Sequence, residues 1–249
     1  MNDLSYRTLS RIEAMEFVEK LEHIHDIGWS SIYIASGLSS TEIMKVMKSL
    51  NLNTETQDSI FRIIIHSKIG AAVFRSNLCK YIFFPPFPIR ETVTLDTLHT
   101  KPILSLLQTD HKIALILVRL GSYSIGVCQG EKLINSRVGT GLIHGRHKKG
   151  GSSAHRFERH RAKQIEYFLA RVCQHTREQL EPHRNSLDYL IYGGARTTIQ
   201  LLQKQCLFTG KLEAEILPPL LDIPEPRQVV LEKTIGRVWS STVIEWNDD

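Results

Sequence analysis

Apolar positions along this chain switch between two rhythms, and the switches divide it into elements. Residues 12–25 set Met15, Phe17, Val18 and Leu21 on one broken helical face. Residues 29–35, WSSIYIA, alternate as a strand does, and Ser39, Ser40 or Thr41 suits the cap of a helix running to about residue 50. Residues 60–66, 70–75 and 80–84 read as three further strands. The last is stopped by PPFPI, because Pro85, Pro86 and Pro88 lack the donor that a ladder needs. Residues 95–107 suit either a helix or an extended connector.

The clearest buried strand is KIALILVRL, residues 112–120, which is apolar almost throughout. GSYSIGVCQG, residues 121–130, alternates small and large side chains as a second strand, and residues 131–138 form a third after the Gln129-Gly130 turn. Three successive strands predict an antiparallel meander. Residues 153–181 then keep helical phase throughout: Phe157, Ile165, Phe168, Leu169 and Val172 share a face, with Phe157 as a core anchor, while Arg159, Lys163, Glu166 and Arg171 stay wet. The last third reads as a strand at 187–192, a Gly193-Gly194 turn and a helix at 195–204. An apolar stretch broken by Pro218 and Pro219 follows, and residues 228–231 and 239–246 end the chain. Trp29, Trp239 and Trp246 read as core or edge packing.

Composition narrows the class. A 249-residue chain that is 42% hydrophobic can bury a substantial core, and a formal charge of +5 permits an anionic partner without requiring one. Cys79, Cys128, Cys173 and Cys206 lie far apart with no CxxC pair and no histidine at ligand spacing. That disfavours a disulfide-stapled fold and a structural zinc site, and Cys128 and Cys173 read as buried thiols. The start of the chain has no apolar signal core, and no apolar run approaches membrane-spanning length. The expected setting is therefore cytoplasmic, with no membrane partner and no cofactor or metal.

Charge is uneven, and here it changes the picture. Around HKKGGSSAHRFERHR the chain carries Arg146, His147, Lys148, Lys149, Arg156, Arg159, Arg161 and Lys163, against the single acid Glu158. Two glycines and a helix start expose amide donors that suit phosphate. The segment is not a P-loop, GxGxxG is absent, and the glycines of GTGLIHG fall at the wrong intervals for nucleotide binding. No helix-turn-helix or zinc finger can be placed. RNA contact through those eight basic residues is the expectation, with a merely solvated basic loop as its competitor. Asp188 and Asp222 are isolated carboxylates and make no metal-dependent nuclease pattern.

GGSSAHRFERHR resembles the signature of the central domain of archaeal and eukaryotic class-one termination factors, in which Gly-Gly-Gln precedes Ser-Ala and an Arg-Phe-x-Arg helix start. KIALILVRLGSYSIGVCQGEKL and GRHKKGG are also similar to the peptidyl-tRNA hydrolases of ribosome quality control, the ankyrin-repeat and zinc-finger family with its bacterial members. The resemblance is good over about residues 107–202 and looser elsewhere. It implies a mixed α/β fold: a ribonuclease H-like mixed sheet with the meander, an exposed basic Gly-rich loop and the long helix.

A smaller N-terminal α/β lobe at 1–98 and a catalytic domain at 99–249 complete this expectation. The implied function is release of stalled nascent chains from tRNA on the large ribosomal subunit, by ester hydrolysis or by cutting near the 3′ CCA end. The implied partners are that subunit and peptidyl-tRNA, with the free protein monomeric. Gly150 and Gly151 fall on the glycine pair, and Arg156, Phe157 and Arg159 on the helix start. The family's glutamine position holds Ser152, followed by Ser153 and His155, and the first downstream glutamine, Gln164, is about three turns along the helix. Gly150, Gly151, Ser152, Ser153 and His155 are the candidate catalytic residues: backbone amides for the oxyanion, a serine to hold water, a histidine to carry a proton. The alternatives are a noncatalytic quality-control factor at the same site and another RNA-binding protein using the same fold.

Overall fold

A computed structural model of the chain describes residues 4–48, 54–145 and 152–246. In chain order the first half comprises β1 (Leu4–Leu9), α1 (Arg11–Glu22), β2 (Ser30–Ile34), α2 (Ser40–Met47), α3 (Thr54–Ile64), β3 (Ala71–Arg75), β4 (Lys80–Phe84), β5 (Val93–Leu95) and α4 (Lys101–Gln108). The second half comprises β6 (Lys112–Arg119), β7 (Ser122–Gln129), β8 (Lys132–Thr140), α5 (Ser152–Leu180), β9 (Tyr189–Gly194), α6 (Arg196–Gln205), β10 (Glu215–Leu220), α7 (Gln228–Val238) and β11 (Ser241–Trp246). Two compact units result: residues 1–109 with 236–249, and residues 110–235.

The first unit is built on an antiparallel sheet of order β1-β11-β4-β3-β2-β5. Strand alternation sends Ile32 and Ile34 to one face, where Ile43 and Met47 of α2 and Ile60 and Ile64 of α3 cover them. It sends Tyr33 to the other face, with Val18 and Leu21 of α1 and Ile103 and Leu107 of α4. Ser39 caps α2 as expected, exchanging hydrogen bonds with Glu42. The expected strand at 60–66 is instead the end of α3. Its β-branched residues read as extended, but Thr56, Ile60 and Ile64 bury one helical face at a spacing of four. PPFPI is a buried turn, with Phe87 wholly enclosed and edge-on to Trp239. Trp246 is buried as well.

The expected boundary at 98/99 is corrected in two places. Helix α4 packs with α1 and so belongs to the first unit, and β11 returns to pair with both β1 and β4. The two units are consequently nearly equal in length, so the N-terminal one is not the smaller lobe that was expected.

The second unit holds a five-stranded mixed sheet of order β10-β9-β6-β7-β8. Strands β6, β7 and β8 form the expected antiparallel meander, while β9 and β10 join parallel to β6. Such an order is that of the ribonuclease H-like sheet the resemblance implied. Strand β6 is buried on both faces. Ala114, Ile116 and Val118 pack with Phe168, Leu169 and Val172 of α5 and Ile199 and Leu202 of α6. Pro218 and Pro219 are tolerated because β10 is an edge strand, and its pairing with β9 shifts register between Leu217 and Leu220. Gly193 and Gly194 close β9 rather than forming a separate turn, and residues 228–231 open helix α7.

Two expectations about α5 need correction. Cys173 is not a free thiol: it is bonded to Cys206, at a Cα separation of 5.3 Å, tying α5 to the end of α6. Phe157 is 50% exposed rather than a core anchor, because residues 155–160 are exposed on every side of the helix. The core contact of α5 begins instead at Ile165 and Phe168. Cys128 is a buried thiol as expected, its pKa pushed up to about 12, mainly by burial.

Candidate functional site

The basic excursion leaves β8 and returns as α5, and the structure shows how its base is held. Gly141 N–H donates to Gly121 O at 2.8 Å, and Thr140 O accepts a bond from the Arg171 guanidinium. A Cβ on Gly141 would stand 2.6 Å from the Phe168 ring and 2.7 Å from Arg171 Nη2. Gly139 faces its cross-strand partner Tyr123 so closely that a Cβ would overlap the phenol oxygen. That hydroxyl is bonded to His175 Nδ1 on α5. Gly139 and Gly141 of GTGLIHG are thus packing glycines that let α5 lie close against β7 and β8, whereas a Cβ on Gly145 would meet nothing within 4 Å. Gly139→Ala should cost about 1–3 kcal/mol of stability, read as a lower urea midpoint at unchanged m-value.

Further along, His144 is clamped from both sides. Its N–H donates to Gln164 Oε1 at 3.1 Å, its carbonyl accepts from Arg161 Nε at 2.9 Å, and its ring lies 6.0 Å from that of His160. Arg161, Gln164, Phe168 and Arg171 recur at spacings of three and four, so one stripe of α5 grips the outgoing chain. Sequence reasoning missed this stripe, although its helical spacing was there to be read. Gln164 is thereby committed to the base of the excursion and is not a displaced substitute for the glutamine missing at Ser152.

Helix α5 extends about 14 Å past this clamp, nine residues at 1.5 Å each. Along that projection residues 155–160 are all exposed. The first turn of α5 carries no acid to offset the positive end of the helix dipole, and Arg156 and Arg159 follow directly after it. His155 Nδ1 lies 3.7 Å from Glu158 Oε2, and both side chains are largely in water, where such a pair contributes little. Among the described residues no carboxylate pairs with Arg156, Arg159, Arg161 or Lys163. The result is a projecting helix end with an unneutralised cationic surface.

The structure brings His155, Arg156 and Arg159 together on this projection, with Arg161 and Lys163 at its base. The backbone of Ser152 and Ser153 forms its first residues. Arg146, His147, Lys148, Lys149, Gly150 and Gly151 lie outside the described residues. Asp188 is used structurally: its carboxylate accepts Lys112 N–H at 2.7 Å and lies 3.8 Å from His111 Nδ1. Among the described residues no group of three or more His, Cys, Asp or Glu is placed to hold a metal ion, and no helix is long and apolar enough to cross a membrane.

Comparison with known proteins points one way. The peptide chain release factor subunit 1 of Thermococcus onnurineus is 22% identical over 227 residues, covering 78% of this chain and 55% of the relative. That of Methanococcus maripaludis is 29% identical over 122 residues, covering 47% and 29%. The chain spans about half the length of the curated relatives it matches. Among solved structures, an archaeal translation termination factor, aRF1, superposes with a TM-score of 0.38 at 16% identity, over 92% of this chain and 73% of that one. The Vms1 mitochondrial localization core gives 0.41 at 12% identity, over 84% and 95%. Residues 111–244, more than half of the chain, match the profile of the Actinobacteria/chloroflexi VLRF1 release factors, and the chain belongs to that family.

Proposed function

We propose that this protein is a ribosome-associated release factor that frees stalled nascent chains by hydrolysing peptidyl-tRNA on the large ribosomal subunit. The observation that carries the reading is the cationic, acid-poor start of α5, projecting about 14 Å beyond its clamp, in a chain of release-factor family. Membership of that family supports termination or rescue as the process, carried out in the cytoplasm. The likeness to the quality-control hydrolases supports a stalled subunit as the target.

The chemistry asked of the tip is modest. A peptide–ribose ester is already activated, so the protein must hold it, place a water and stabilise the oxyanion. Backbone amides at Gly151 and Ser152 supply donors, and the glycine pair Gly150-Gly151 puts no side chain in the way. Ser152 or Ser153 holds the water, and His155 takes a proton from that water as it attacks the ester carbon and returns one to the 3′ oxygen as the ester bond breaks. The RNA is gripped by Arg146, His147, Lys148, Lys149, Arg156, Arg159, Arg161 and Lys163.

A second reading, a noncatalytic factor that occupies the same site and protects or recruits, is favoured by one observation. Serine stands where the class-one termination factors have glutamine, and Gln164, engaged with His144, does not replace it. Purified protein incubated with large subunits bearing peptidyl-tRNA separates the two. The hydrolase releases the nascent chain and leaves full-length deacylated tRNA. A tRNA shortened at its 3′ end shows phosphodiester cleavage instead. Stoichiometric binding with neither product above the protein-free control overturns the enzyme reading and leaves the second.

A further inference from the structure

Helix α5 carries a second feature that the tip does not use. At about 100° per residue, Arg156, His160, Lys163, Tyr167, Ala170 and Gln174 lie within about 40° of one line along the helix. This line runs opposite the buried Ile165, Phe168, Leu169 and Val172 and faces solvent. Of the acids on α5, Glu158 projects from the far side of the helix and Glu166 about 80° away, so none meets the line before Glu178. The stripe is therefore cationic toward the tip and uncharged at its middle.

Tyr167 stands at that middle and is 72% exposed. One exposed aromatic is ordinary on a protein surface, but this one is unusual in two respects. Among the described residues it has no ring, cation or hydrogen-bond partner. Its neighbours one turn on are Ala170, which is small, and Arg171, whose guanidinium is engaged with Thr140 O, so that side of the ring stays open. Tyrosine is also an indifferent helix former, so local stability gives no reason for its presence. An open aromatic face in line with Lys163 and Arg156 has the makeup of a stacking platform: cations hold a phosphate backbone while the ring takes a base.

We propose that Tyr167 stacks an unpaired nucleotide of the RNA whose backbone runs along the Arg156–His160–Lys163 stripe. The RNA contact then continues about 17 Å down α5 from Arg156, eleven residues at 1.5 Å each. This inference rests on the reading of the excursion as an RNA-binding surface, and it adds a partner class to it: single-stranded or looped RNA rather than a continuous duplex, whose bases are already stacked.

The test compares wild type, Tyr167→Ala and Tyr167→Phe in binding a short oligoadenylate RNA and an abasic phosphodiester chain of equal length, by fluorescence anisotropy across a salt series. Tyr167 supports no core contact, so both variants should fold, and circular dichroism checks it. The expected result is an affinity loss of about tenfold for Tyr167→Ala on oligoadenylate, at unchanged salt slope because no cation is removed. Tyr167→Phe keeps its affinity, and the abasic chain binds all three proteins alike. Wild-type affinity in Tyr167→Ala, or an equal loss on the abasic chain, overturns the stacking role while leaving the basic surface in place. Failure of the wild-type protein to bind either probe or large subunits overturns both.

Discussion

Gly151→Ala lowers the rate of peptide release by about a hundredfold while changing affinity for large subunits by no more than about threefold. The separation follows from where binding and chemistry draw their energy. Affinity comes from cations that neutralise phosphates, and all of these remain. Release needs the reacting ester and the backbone amides in one geometry, and a misplacement of about 1 Å is enough for a loss of this size. An added methyl group obstructs close approach and removes the backbone freedom that glycine alone supplies. Single-turnover release and subunit co-sedimentation, measured on the same preparations, check the two arms. Equal loss in both makes Gly151 a binding residue, and no loss in either removes the tip from the mechanism. On the same assay Ser152→Ala reads the water-holding role and His155→Ala the proton transfer. Ser152→Gln asks whether the longer side chain of the related factors improves the site.

How far such residues could be found from sequence differs from element to element. Strands β6 to β8 were legible because three apolar or alternating runs follow one another across short turns, so local pattern and global pairing agree. Helix α5 was legible because its apolar period holds from Ile165 to Leu180, although residues 155–160, Phe157 among them, carry no buried face. Residues 60–66 misled because β-branched side chains favour extended chain, and only the packing of α3 beneath the sheet decides otherwise. The Cys173–Cys206 bond joins positions 33 residues apart that only the packing of α5 on α6 brings together. The domain boundary was illegible for the same reason, since β11 pairs with β1 across almost the whole chain. At the site, composition revealed the cations directly. The helical spacing of Arg161 and Gln164 was readable, but their partner was not, because on His144 they meet the backbone N–H and carbonyl, which no side-chain pattern records.

The clamp also accounts for a feature that charge alone does not explain. A flexible basic loop on a flat surface would bind phosphate without presenting any particular residue. Here β8 is fixed to α5 by Thr140, Gly141 and His144 before the chain turns, so the first turns of α5 point in one direction. The cost of ordering the projecting helix is met in the folded protein rather than on binding, which suits the reach into a confined site that the proposed function asks of it.

Replacing Lys148, Lys149, Arg156 and Arg159 together with alanine should then reduce affinity for large subunits by on the order of a thousandfold near 0.1 M salt, with the salt slope falling by about three units. Each cation that neutralises a phosphate contributes roughly 0.7 to 0.9 to that slope, because one condensed counterion is released per contact. Formal charge falls from +5 to +1 in this variant, so a general electrostatic effect must be told apart from a local one. Lys20, Lys45, Lys68 and Lys233 are all exposed and lie outside the excursion and α5 in the sequence, and their fourfold alanine variant carries the same net charge. If the excursion is the interface, the second variant keeps nearly the wild-type slope, since cations beyond about 10 Å from the phosphates are screened at this ionic strength. Equal slopes in the two variants would mean that net charge, not the projecting start of α5, draws the protein to RNA. An unchanged slope in the first variant, with circular dichroism confirming the fold, would move the interface elsewhere on the molecule.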